Sequence, residues 1–138
     1  MKNAICALFG VIGSGLAYLL GGWDSALITL VIFMAIDFVS GLIVGGVFKK
    51  STKTENGALE SMACFKGLCK KCMIFFYVLV ATRLDIVIGS NFIRNAVIIG
   101  FIVNETLSIT ENAGLIGLPI PSAISNAIDI LKKKEDEA

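Results

Sequence analysis

Two sets of polar residues in this chain recur at spacings that would gather each set on one side of a helix. Asp37, Gly41 and Gly45 stand at i, i+4 and i+8, with Ser40 beside them. Further on, Asn104, Ser108 and Glu111 stand at i, i+4 and i+7, and Glu105, Ser108 and Asn112 at i, i+3 and i+7. Residues three and four apart are neighbours on a helix surface. Paired carboxylates can do acid–base chemistry, but this sequence has no histidine and shows no nucleophile–base pair. The reading is therefore not an enzyme, with no catalytic residue. Cys69 and Cys72 make a C-x-x-C, and Cys64 adds at most a third ligand. A structural zinc site needs four, so neither a metal nor another cofactor is expected.

The surroundings of these residues say more than the residues themselves. Asp37 lies near the middle of residues 25–48, a 24-residue run with no other charge. Crossing a bilayer takes about 20 apolar residues. A carboxylate at that depth is unfavourable by roughly 2.5–3.5 kcal/mol on insertion scales, which marks Asp37 as a group with a use. Of 138 residues, 56% are hydrophobic and 17% charged, and the mean hydropathy is +0.84. Soluble domains carry about 25% charged residues. The expected fold is all-α: a polytopic transmembrane helical protein forming a single membrane domain over 1–138, with short amphipathic helices at the interface.

About four spans are expected, at 5–20, 25–48, 72–88 and 92–110. A basic loop at 49–71 separates the second from the third, and an amphipathic, charged tail occupies 119–138. Within the tail, Ile124, Ile128 and Leu131 fall at i, i+4 and i+7, the pattern of a helix lying on a membrane surface. A three-span alternative would merge residues 72–103 and would have to bury Arg83, Asp85 and Arg94 together. Lys2, Lys49, Lys50, Lys53, Lys66, Lys70, Lys71 and Lys132 to Lys134 would share one side of a four-span protein, against Arg83 and Arg94 on the other. The positive-inside rule then puts both termini in the cytoplasm. Lys49, Lys50, Lys66, Lys70 and Lys71 are expected to set topology and to meet anionic lipid headgroups. A net charge of +1 gives no reason to expect a nucleic-acid partner.

Three segments resemble the holins of Gram-positive bacteria and their phages, the group that includes the clostridial toxin-release holin. They are the Asp37-Phe38-Val39-Ser40-Gly41 stretch, the basic element at 61–71, and the E-x-x-S-I-x-E-N block from Glu105 to Asn112 followed by Gly117 and Pro119. Thr110 stands in that block where relatives more often carry an aliphatic residue. The resemblance implies a small protein of the bacterial cytoplasmic membrane that forms homo-oligomers, opens pores, and so releases an endolysin or a large toxin. Asp37, Ser40, Gly41, Gly45, Asn104, Glu105, Ser108, Glu111 and Asn112 are the residues expected to pack helices or line the pore. The residues also leave two alternatives open: a small proton-coupled multidrug transporter, and an antiholin-type regulator that assembles without opening.

Overall fold

The computed structural model describes residues 1–137 and contains five helices: α1 (Lys2–Leu19), α2 (Ser25–Gly46), α3 (Ser61–Ile88), α4 (Ile93–Leu115) and α5 (Ser122–Glu137). The chain is an all-α polytopic membrane protein. α1, α2 and α4 are long and apolar enough to cross a bilayer. α3, at 28 residues, has the length as well, and the expected third span falls inside it. It differs from the others in carrying Lys71, Arg83 and Asp85 along its apolar part.

Local chemistry fixes where the helices start and stop. Asp24 caps α2 by accepting a hydrogen bond from the Leu27 amide at 2.9 Å, satisfying a donor that the first turn leaves free. α3 ends at Gly89, whose φ of 78° is left-handed and whose amide donates back to the Asp85 carbonyl, a conformation that a Cβ disfavours. This break keeps α3 and α4 separate helices. α4 continues to Leu115, five residues beyond the expected span, and stops before Gly117, Pro119 and Pro121.

The segment between α2 and α3 is shorter than expected. Residues 61–71, taken as loop, form the first turns of α3. The true connection folds back under α2: a Cβ on Gly45 would sit 3.5 Å from the Leu59 backbone. Gly45 therefore permits the approach of a loop, not of a second helix within the chain.

The core is a three-helix seam. Leu27, Leu30 and Met34 of α2 pack with Ile74 and Val78 of α3 and with Ile98 and Ile102 of α4. Within each helix these residues recur at three- or four-residue steps, so each presents one apolar stripe inward. α1 stands outside this seam; Ala17 is its only buried residue. α5 runs back along α4, with Ile128 buried and Leu131 packed against the core. The expected tail helix thus forms, but it lies against α4.

Candidate functional site

Each inward stripe ends in an ionisable residue, and the three meet. Asp37 follows Met34 on α2, Lys71 precedes Ile74 on α3, and Glu105 follows Ile102 on α4, each by three residues. The Lys71 ammonium Nζ donates to Asp37 Oδ2 at 2.8 Å and to Glu105 Oε2 at 2.9 Å. The three side chains are 14%, 9% and 4% exposed. The second Asp37 oxygen, Oδ1, accepts from Asn112 Nδ2 at 3.3 Å, and the same amide donates to Ser40 Oγ at 2.8 Å. Ser40 Oγ in turn donates to the Asp37 carbonyl. Among the described residues no buried side-chain nitrogen or oxygen lacks a partner, the condition under which buried charge is tolerable.

A cavity of about 440 Å³ opens beside the ion pairs, between α2, α3 and the loop. Gly41, Asn104 and Ser108 border it together with Asp37, Glu105 and Lys71. Its charged lining is balanced, with Asp37, Glu60 and Glu105 against Lys53, Lys70 and Lys71, and apolar side chains make up most of the rest.

The structure brings together Asp37, Ser40, Glu105 and Asn112, and sets Gly41, Asn104 and Ser108 around them. Glu111 stands apart, exposed on α4, so the second polar set divides between two sides of its helix. Lys49, Lys50, Lys66 and Lys70 are exposed. Lys71 corrects the sequence expectation: it is turned away from any headgroup and holds the centre of the site. The physical reason is register. Once α3 begins at Ser61, Lys71 lies three residues before Ile74 and seven before Val78, on the core-facing stripe. Cys64, Cys69 and Cys72 are free thiols, the last two exposed.

A second polar cluster, absent from the sequence reading, ties the opposite end of the bundle. Arg94 is 8% exposed. Its Nε donates to the Leu20 carbonyl at 2.6 Å and its Nη2 to the Gly22 carbonyl at 3.0 Å. Its two terminal nitrogens also fork onto Asp24 at 2.6 and 3.3 Å, the planar match that arginine makes with carboxylate. This hydrogen bond is the main reason that the Asp24 carboxyl, in the turn outside the spans, titrates below its ordinary value of 3.8. Asp85 accepts from the Ile93 and Arg94 amides at 3.0 and 2.9 Å and from Ser90 Oγ at 2.6 Å. The α1–α2 turn, the α3–α4 turn and the start of α4 are therefore one latched unit. Only the Asp24 cap was foreseeable, as an acidic residue just before an apolar run. The partners of the Arg94 guanidinium lie 70–74 residues away in sequence.

Three helices long and apolar enough to cross a membrane, around an ion-paired interior, define a class: small helical membrane proteins with buried charge. Residues 14–133 match the bacteriophage holin family, and the chain belongs to that family. It is 31% identical over 109 residues to a probable holin of Bacillus phage phi105, covering 78% of this chain and 75% of the phage protein. An uncharacterized protein of Listeria monocytogenes is 36% identical, covering 94% of this chain and 89% of its own length. An uncharacterized 14.9 kDa protein of Clostridium perfringens is 32% identical, covering 98% and 100%. No solved structure matches the chain.

Proposed function

We propose that this protein is a pore-forming holin: copies gather in the bacterial cytoplasmic membrane and open holes through which an endolysin or a large toxin leaves the cell. The observation that carries this reading is the Lys71–Asp37–Glu105 seam within a bundle of span-length helices. In one chain the three charges satisfy one another, and the bundle is closed. When copies assemble, the same groups can turn to water, which solvates charge better than any protein interior. A seam that is self-paired in the single chain thus becomes a polar wall in the ring. The open cleft beside the seam measures about 440 Å³, far less than a folded protein, so many copies must share the hole.

Both termini and the 47–60 loop face the cytoplasm in this reading, and Lys49, Lys50, Lys66 and Lys70 meet anionic headgroups there. The protein works with its own copies and with lipid, and performs no catalysis.

The test is induced expression in bacteria carrying an ion-sized and a folded-protein cytosolic reporter. A holin releases both. Loss of the small reporter alone would replace this reading by a narrow channel or transporter. An intact membrane, with lysis by a cognate holin blocked, would replace it by an antiholin.

A further inference from the structure

α2 packs along α4 but meets α3 at few points. The cleft beside the ion pairs opens between α2 and α3. Small residues widen it: Gly41 and Gly45 on α2, and Ala63, Cys64 and Gly67 on α3. A Cβ on Gly67 would meet nothing within 4 Å. From Cys64 to Tyr77 the cleft follows α3 for about 20 Å at 1.5 Å per residue. The hydrocarbon of one leaflet is shorter, about 15 Å or half the bilayer core. Met73 and Tyr77 line the cleft yet are 51% and 56% exposed, so its α3 edge is open sideways. With α2 and α3 across the membrane, that edge faces lipid. An unfilled apolar slot there forfeits its dispersion contacts, and an acyl chain restores them.

The two ends of the cleft differ. On the loop side it is lined by Lys53 and Lys70, both exposed, and among the described residues neither ammonium has an ion-pair partner. Of the three acids in the lining, Asp37 and Glu105 already accept from Lys71. Glu60 alone then stands against two free lysines, so the open charge at this end is positive. Lysine stems are long enough to carry their ammonium groups to an interface. The far end is apolar, closed by Ile74 and by the Tyr77–Phe101 pair, whose ring centroids are 5.9 Å apart.

We propose that the cleft between α2 and α3 seats one anionic phospholipid, with its phosphate at Lys53 and Lys70 and an acyl chain running along α3 to Tyr77 and Phe101. This seat rests on α2 and α3 crossing the membrane, as in the holin reading, and not on the opening of a hole. Seated there, the lipid fills the flank of the Lys71–Asp37–Glu105 seam and ties the single chain to an anionic membrane.

The test uses the full chain with Trp23→Phe and Tyr77→Trp, which puts the one tryptophan at the far end of the cleft. It is reconstituted in phosphatidylcholine vesicles holding a minor fraction of acyl-brominated phosphatidylglycerol, or the same fraction of acyl-brominated phosphatidylcholine. Phe101→Trp serves as a second reporter if Tyr77→Trp misfolds. The brominated anionic lipid is expected to quench more strongly. Lys53→Gln and Lys70→Gln should each weaken that preference roughly fivefold, as expected for a lysine at an anionic surface. Lys49→Gln with Lys50→Gln, outside the cleft, should leave it unchanged. Equal quenching by the two lipids would overturn the seat while leaving the membrane placement of α3 intact. Equal loss of preference in both lysine sets would also overturn it, since general surface attraction would then be the cause. No quenching by either lipid would overturn the seat together with the placement of α3 across the membrane.

Discussion

Lys71 and Asp37 are 34 residues apart in the chain and meet at 2.8 Å inside the bundle. Glu105, another 34 residues on, completes the contact at 2.9 Å. A residue from a lysine-rich segment thus closes an internal seam between α2, α3 and α4. The arrangement makes the three charges interdependent, and their removal singly or together should have opposite consequences.

Lys71→Met leaves two buried carboxylates facing each other. Breaking a buried pair in this way is expected to destabilise the bundle by about 3–5 kcal/mol. The triple change Asp37→Leu, Lys71→Met and Glu105→Leu removes every charge at once and is expected to recover most of that loss, because apolar replacement of a buried ionic cluster is often neutral or stabilising. Thermal melting followed by circular dichroism in detergent micelles measures both. A triple variant that melts well below the single one would contradict the pairing.

The Arg94 latch can be separated from backbone strain by comparing adjacent glycines. Gly21 has φ +86° and a Cβ there would lie 2.5 Å from Arg94 Nε, whereas Gly22 has φ +99° and nothing within 4 Å. Alanine at either position is strained by about 1–2 kcal/mol. Gly21→Ala should additionally displace the guanidinium and expose the turn to proteolysis, while Gly22→Ala should leave the turn resistant. Limited proteolysis of the two variants under identical detergent conditions makes the comparison.

Acid should loosen the same turn. The Asp24 carboxyl titrates below 3.8 because it accepts from Arg94, so its contribution to stability is fully present above about 3.8 and is lost as the pH falls through the lower folded-state value. Trp23, the single tryptophan, is its neighbour and half exposed. Its fluorescence should hold steady from neutral pH down to about 4 and change only below that. Asp24→Asn should show the loosened signal at neutral pH and no acid transition.

The long apolar runs, the breaks at Gly21-Gly22 and Gly89 to Phe92, and the amphipathic stripe of α5 were all legible from hydropathy and spacing. Asp37 on one helix and Glu105 and Asn112 on another were legible as two separate polar faces; that they meet through Lys71 and the Asn112 amide is seen only in the fold. The inward turn of Lys71 was hidden by its company. Lys66 and Lys70 beside it are exposed, and reading residues 61–71 as one basic loop lost the helical register that separates them. Arg94 was hidden for another reason: its partners are backbone carbonyls at Leu20 and Gly22, which no side-chain pattern announces. The docking of α5 was invisible too, since an apolar stripe fits a lipid surface and a neighbouring helix equally well.

The most direct test of the seam as the wall of the hole is its exposure to water upon opening. In a background with Cys6, Cys64, Cys69 and Cys72 changed to serine, Ser108→Cys places a thiol at the border of the 440 Å³ cavity, and Val39→Cys places one on the exposed outer face of α2. A membrane-impermeant thiol reagent is added outside the cells before and after the folded reporter escapes. Position 108 should be silent before release and labelled after it, with position 39 silent throughout. A position 108 that stays unlabelled after the reporter has left would contradict the assignment of the Lys71–Asp37–Glu105 seam to the hole.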